Sequence, residues 1–243
     1  MNASAPTSAP LEGSIPTHPS RGFDRGQLPF LALYVVFLIV PGRLFEALDA
    51  GAGPRAWTGI LRYVLLAGLG IWVFRDAIAR SWRLTRQRPV RTGLLVIAAV
   101  LAAEIAPIIP AVLLSALGWM PEAGTNDANV SALTDQVPAL VFVITVALLG
   151  PLTEEFVFRE ALVQRARRWV PVWTCVLISS LAFGALHIHT LAELPLVLLY
   201  ASIALVYALA LVISRGNLLV PIIAHVIHNG VPPSVPFSGN DQR

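Results

Sequence analysis

The chain has 243 residues, 56% of them hydrophobic and 13% charged, against about 25% charged in an average soluble domain. All seventeen basic residues are arginine and the formal net charge is +3. The shortfall of charge and the long apolar runs exclude an ordinary water-soluble domain and indicate a polytopic membrane protein; the arginines cluster between the runs, so the positive balance is not a nucleic-acid footprint.

Residues 1–27 are rich in Pro, Ser, Ala and Gly. They lack the basic start and short apolar stretch of a secretory signal and read as a disordered cytoplasmic tail. Seven apolar runs follow: Leu28 to Val40, Trp57 to Phe74, Thr92 to Trp119, Val137 to Gln164, Val172 to Ile188, Leu191 to Ile213, and Leu218 to Gly230. A span takes about 20 residues, within a range of about 17–25. The first and last runs are short and the third and fourth long, so the expected fold is an all-α transmembrane bundle of about seven spans, six to eight. Residues 28–136 form the N-terminal membrane helices, 137–230 the candidate catalytic core, and 231–243 a short tail. Pro107 and Pro110 are placed to kink or break the third run. The single cysteine, Cys175, permits no intrachain disulfide and no CxxC zinc site.

Charge between the runs gives an orientation. The linker after the second run carries Arg75, Arg80, Arg83, Arg86, Arg88 and Arg91; Arg165, Arg167 and Arg168 follow the fourth, and Arg215 the sixth. The intervening stretch from Met120 to Gln136 has Glu122, Asp127 and Asp135 and no arginine. The linker after the first run is mixed, with Arg43 and Arg55 beside Glu46 and Asp49. This alternation predicts a cytoplasmic N-terminus and an external C-terminus. The Arg-, Ala- and Pro-rich usage suggests a GC-rich bacterial genome, hence a multi-pass protein of the inner cell membrane.

The fourth run contains Thr153-Glu154-Glu155-Phe156-Val157-Phe158-Arg159. Carboxylates and a guanidinium at membrane depth are costly and are functional candidates by default. Glu155 and Arg159 are four residues apart, acid before base, the favoured ion-pair order on one helix face. Glu154 is turned about 100° from Glu155, so one carboxylate can be neutralised while the other points elsewhere. The fifth run places Phe183 four residues before His187, and the seventh places His225 four residues before Asn229. His228 lies close to the His225 face and competes with it, whereas His189 points to a different face than His187. Counted from the cytoplasmic ends at about 1.5 Å per residue, Glu154 and His187 lie about 21–22 Å in and His225 and Asn229 about 10–17 Å. The four groups can therefore meet within the hydrocarbon layer. Glutamate, two histidines and asparagine are an inventory for hydrolysis; asparagine supplies the donor and acceptor that suit an oxyanion or a water.

Glu154-Glu155-x-x-x-Arg159, Phe183-x-x-x-His187 and His225-x-x-x-Asn229, in this order, resemble the three motifs of the CPBP family, the CAAX-processing and bacteriocin-processing intramembrane proteases. The resemblance covers roughly Val137 to Gly230. It implies an intramembrane endopeptidase in which Glu154, with His187, activates a water while His225 and Asn229 stabilise the oxyanion. Glu155, Arg159 and Phe183 would support the site. Family members have been described as metalloproteases, so Glu154, His187 and His225 are the ligand set if a divalent metal such as zinc is held. Asparagine is a poor zinc ligand, and a metal-free mechanism is the favoured expectation. The implied partners are a peptide or protein substrate and the lipid bilayer, with no nucleic acid. Glu160 departs from the family, where a small residue, often glycine, commonly follows the arginine. The alternative reading is a non-catalytic membrane protein, a scaffold or a proton-coupled transporter in which Glu104 would suit a relay. A transporter should show internal repeat symmetry, which this chain lacks; an enzyme requires the four polar groups to share one cavity. The His-Glu-x-x-His, Gly-x-Gly-Asp and Gly-x-Ser-Gly motifs of other membrane hydrolases are absent, and Ser179 and Ser180 read as small packing residues.

Overall fold

The computed structural model describes residues 26–47, 52–121 and 124–230. The expected tails therefore lie outside the described residues, save residues 26 and 27 at the start of the first helix, as do Asp49 and Glu122. Among the described residues the chain is helical throughout its regular structure, with no strand. In chain order the helices are α1 (Gln27–Ala47), α2 (Ala52–Val73), α3 (Arg75–Gln87), α4 (Pro89–Ile105), α5 (Ile108–Ala116) and α6 (Thr125–Thr134). A long rod, α7 (Ala139–Arg168), precedes α8 (Val172–Leu186). A 3₁₀ segment, Leu191–Leu196, leads into α9 (Val197–Ile213), and α10 (Leu219–Gly230) ends the bundle.

Four helical segments are long and apolar enough to cross a membrane: Gly53–Val73, Pro89–Ala116, Ala139–Arg168 and Leu191–Ile213. Gln27–Phe37, Val172–Leu186 and Leu219–Gly230 are shorter apolar helices. Together they coincide with the seven runs read from the sequence, and the protein is a multi-pass helical bundle. The outer face of α4 and α5 bears Leu94, Ile97, Leu101, Ile105, Ile109 and Val112 in exposed positions. Such a stripe would invite association in water but suits contact with lipid.

Local chemistry sets the element boundaries. Pro89 opens α4 at its first turn, where a missing N–H costs nothing. The predicted break occurs between Ile105 and Ile108, at Pro107. At the end of α9, Arg215 and Gly216 are left-handed, with φ of 62° and 81°, and the Gly216 N–H donates to the Leu211 carbonyl at 2.8 Å. That reversal satisfies the last carbonyls of the helix. The arginine-rich linker after the second run is itself a helix, α3, which differs from the sequence expectation of a simple connection. Its Ser81 Oγ accepts the Leu218 N–H at 2.9 Å, and its Thr85 Oγ1 accepts from Asn217 Nδ2 at 2.9 Å, so α3 caps the start of α10.

An aromatic column joins the N-terminal helices to α7. Phe30 meets Phe74 edge-on at 5.3 Å, Phe74 stacks on Phe156 at 5.2 Å, and Tyr34 meets Phe158 edge-on at 6.4 Å. Gly70 of α2 admits Phe156: a Cβ there would stand 2.6 Å from the Phe156 ring. These contacts fix the rod that carries the two glutamates.

Candidate active site

The winding of α7 changes along its length. Ile144–Leu149 and Phe156–Arg165 follow the wider i→i+5 hydrogen-bond pattern, and Gly150–Glu155 between them is α-helical. Such wide turns are rare and recur at functional sites. Here they flank the glutamate pair.

Glu155 is sealed between a cation and an imidazole. Its Oε2 lies 3.2 Å from Arg159 Nε, with both side chains at 0% exposure, and its Oε1 lies 2.9 Å from His225 Nδ1. The intrahelical pair expected from the four-residue spacing is therefore present. The guanidinium also donates from Nη2 to the Ala204 carbonyl at 3.1 Å. It sits over the rings of Phe183, Tyr207 and Phe158 at 5.0, 5.4 and 5.9 Å. Aromatic faces attract a delocalised planar cation, so a buried arginine is held by one carboxylate, one carbonyl and three rings.

Glu154 differs. Its side chain retains 14% exposure and its Oε2 is 3.7 Å from His225 Nε2. His225 thus bridges the two glutamates, one at each ring nitrogen. Because a carboxylate accepts, the short contact places the Nδ1 proton toward Glu155, and a neutral His225 turns a bare Nε2 toward Glu154. The His187 ring is fixed in the same manner: its Nδ1 is 2.8 Å from the Phe183 carbonyl, which accepts only. His187 stacks between Phe183, at 4.3 Å, and Tyr200, at 4.8 Å, and Phe183 in turn lies 5.9 Å from the His225 ring.

The sequence-derived candidates are thus brought together unevenly. Glu154, Glu155, Arg159, Phe183 and His225 form one cluster, and His187 adjoins it through Phe183. Asn229 is one turn beyond His225 and donates from Nδ2 to the Val146 carbonyl at 3.3 Å, in an exposed position on the first wide turn of α7. His228 does not compete for the cluster: its Nδ1 is 2.9 Å from Glu104 Oε1. Among the described residues no three or more His, Cys, Asp or Glu side chains are grouped to hold a metal ion. The conditional ligand trio of Glu154, His187 and His225 is therefore not assembled, and no step below runs through a metal.

Sequence reasoning missed the tyrosines. Tyr200 stacks on His187, and Tyr207 stacks on His225 with centroids 4.6 Å apart. The available signal was their seven-residue separation in an otherwise aliphatic helix, which puts both on one face. It also missed Glu193, whose carboxylate accepts the His189 N–H at 2.7 Å and the Thr125 N–H at 2.8 Å, as well as the Thr125 hydroxyl. That residue ties the loop after His187 to the start of α6. Ser179 and Ser180 bond to the Phe158 and Val176 carbonyls, as packing residues do.

Residues 136–231 match the family model described as type II CAAX prenyl endopeptidase Rce1-like. A protein of Bacillus subtilis (strain 168), named "Putative membrane peptidase YdiL", is 31% identical over 107 residues, covering 44% of this chain and 42% of that protein. The chain thus matches less than half the length of this curated relative. No solved structure matches. Over residues 136–231, which carry the glutamate-histidine cluster, the chain is thus similar to CAAX-type membrane peptidases.

Proposed function

We propose that the protein is an intramembrane endopeptidase that hydrolyses a peptide bond with a water activated by Glu154. The observation that carries this reading is the asymmetry of two adjacent carboxylates. Glu155 is paired with Arg159 and accepts from His225 Nδ1, whereas Glu154 stays partly accessible and faces His225 Nε2.

In the proposed reaction, a Glu154 oxygen takes a proton from water as the water oxygen bonds to the scissile carbonyl carbon. The carbonyl electron pair moves onto its oxygen. His187, anchored at Nδ1 by the Phe183 carbonyl, offers Nε2 to the same water. Asn229 Nδ2–H donates to the oxyanion, exchanging its 3.3 Å bond to the Val146 carbonyl for a charge-assisted one. His225 contributes there when Nε2 carries a proton. Glu154 then delivers its proton to the amide nitrogen, the C–N bond breaks, and a carboxylic acid and an amine leave. The substrate is a peptide or protein held at the membrane.

The test compares peptide termini in membranes and medium of cells expressing the wild type or Glu154→Gln. New termini that appear only with the wild type support the reading; identical sets overturn it. With a quenched-fluorescent peptide spanning the site so found, Glu154→Gln should lose about 10²–10⁴ in rate. Exhaustive chelation should leave wild-type cleavage unchanged. Reversible loss of cleavage on removing stoichiometric zinc would replace the metal-free route.

A further inference from the structure

Hydrolysis consumes one water per turnover, yet His225 and Glu155 are almost completely enclosed. A second carboxylate–imidazole pair also adjoins Tyr207. Glu104 of α4 and His228 of α10 meet at 2.9 Å, and their side chains keep 34% and 20% exposure. Neither belongs to the three motifs. Glu104 lies about 24 Å along the helix from Arg88, by the helical rise, so the pair is at bilayer depth. A partly exposed polar pair is not left against hydrocarbon; polar groups at that depth face protein or a water-filled cavity. The backbone beside it points the same way. The helix breaks at Pro107, three residues after Glu104, and Pro107 and Pro110 remove the amides that would bond the Ala103 and Ala106 carbonyls at the i+4 position. Backbone freed in this way is tolerated where protein or water satisfies it again.

Tyr207 touches a histidine of each pair. Its ring stacks on His225 at 4.6 Å and meets His228 edge-on at 6.3 Å. The residue is 0% exposed, and its hydroxyl has no hydrogen-bond partner among the described residues. Glu155, Glu104, Glu154 and Arg159 all act on that hydroxyl electrostatically. A buried hydroxyl without a partner is expensive, and in native proteins such groups are usually met by an internal water.

We propose that Tyr207 is a positioning residue for the hydrolytic water, and that Glu104 and His228 form the polar port through which that water reaches the Glu154–His225 site. This rests on the hydrolytic reading above and adds the route and residues of water supply. Water enters at the exposed edge of the Glu104–His228 pair, is held by the Tyr207 hydroxyl beside the His225 ring, and passes to Glu154.

The experiment measures kcat, KM and melting temperature for Tyr207→Phe, His228→Gln and His228→Leu in the full-length protein, with the peptide that the wild type cleaves. Tyr207→Phe keeps the stack on His225 and removes only the hydroxyl. It should lower kcat by about 10- to 100-fold, the scale of a misplaced reactant, at unchanged KM and with an equal or higher melting temperature. His228→Gln, which keeps the port polar, should retain most of kcat; His228→Leu, which seals it, should lose kcat as Tyr207→Phe does. Wild-type kcat in Tyr207→Phe would overturn the proposal. So would a raised KM at unchanged kcat, which would assign the hydroxyl to substrate binding, or equal loss in both His228 variants, which would assign His228 to acid–base chemistry. Glu154→Gln is the control: if it cleaves normally, the hydrolytic reading fails, independently of the water route.

Discussion

Glu154 and Glu155 are neighbours in the chain with opposite fates, and single-atom substitutions separate them. Replacing Glu155 by glutamine removes the partner of a fully buried guanidinium and of His225 Nδ1 together. Breaking a buried pair from one side costs about 3–5 kcal/mol, so Glu155→Gln should lower the melting temperature and the folded yield. Among the described residues Glu154 has no arginine within ion-pair distance, and His225 Nε2 lies 3.7 Å from it. Glu154→Gln should therefore melt at or above the wild-type temperature while losing turnover. Melting curves and cleavage assays on the same preparations decide the matter: a destabilised Glu154→Gln whose folded fraction cleaves normally makes Glu154 structural. The Glu155–Arg159 half of this arrangement was legible from a four-residue spacing on one helix. The His225 half was not, because its partner is 70 residues away and only the packed bundle brings the two together. The aromatic enclosure of Arg159 was hidden for the same reason, since two of its three rings arrive from α8 and α9.

Glu160 shows how an element's winding decides which residues meet. It is completely buried, and Arg165 Nε reaches it at 2.8 Å across five residues. An α-helical reading looks for partners three or four positions away, whereas the wide turns of Phe156–Arg165 bring the fifth residue into line. Nothing in the local sequence announced that winding, so Glu160 read as a departure from its relatives rather than as half of a pair. The other half of its charge balance is Arg80 of α3, whose Nη2 is 3.0 Å from Oε2. The extra acid thereby docks the amphipathic helix onto the rod that carries the two glutamates. Arg80→Met alone should destabilise the protein by about 1–3 kcal/mol, the cost of stranding part of a buried polar group. Glu160→Met should cost more, because it strands buried Arg165 as well, and adding Arg80→Met to it should cost little further, the partner of Arg80 being already gone. Thermal melts of the single and double variants measure the coupling; strict additivity would show that the pair does not hold α3 in place.

For the whole molecule, the seven apolar runs and their order were legible because hydrophobicity accumulates over twenty residues and tolerates local error. The amphipathic α3 was less so, since its arginines read equally well as a charged loop. The distribution of charge supports the expected two faces. Arg80 draws α3 to the end of α7 that carries Arg165, Arg167 and Arg168, while Glu193 ties α6 to the loop after His187. Cysteines introduced singly at Arg83 and Arg167 should therefore label from the cytoplasm and one at Asp127 from outside; cytoplasmic labelling at Asp127 would reverse the orientation and the depths counted from it. The closest approach of two backbones has a mechanical consequence. At Gly184 a Cβ would meet the Val197 carbonyl at 2.5 Å and the Ala201 nitrogen at 3.1 Å, so α8 and α9 touch without intervening side chains. Neither helix can slide along or roll over the other without collision, and the two travel as one rigid body. Phe183 and His187 on one, and Tyr200 and Tyr207 on the other, then keep their mutual spacing. In the proposed reaction, the displacement that admits a peptide falls to the remaining helices.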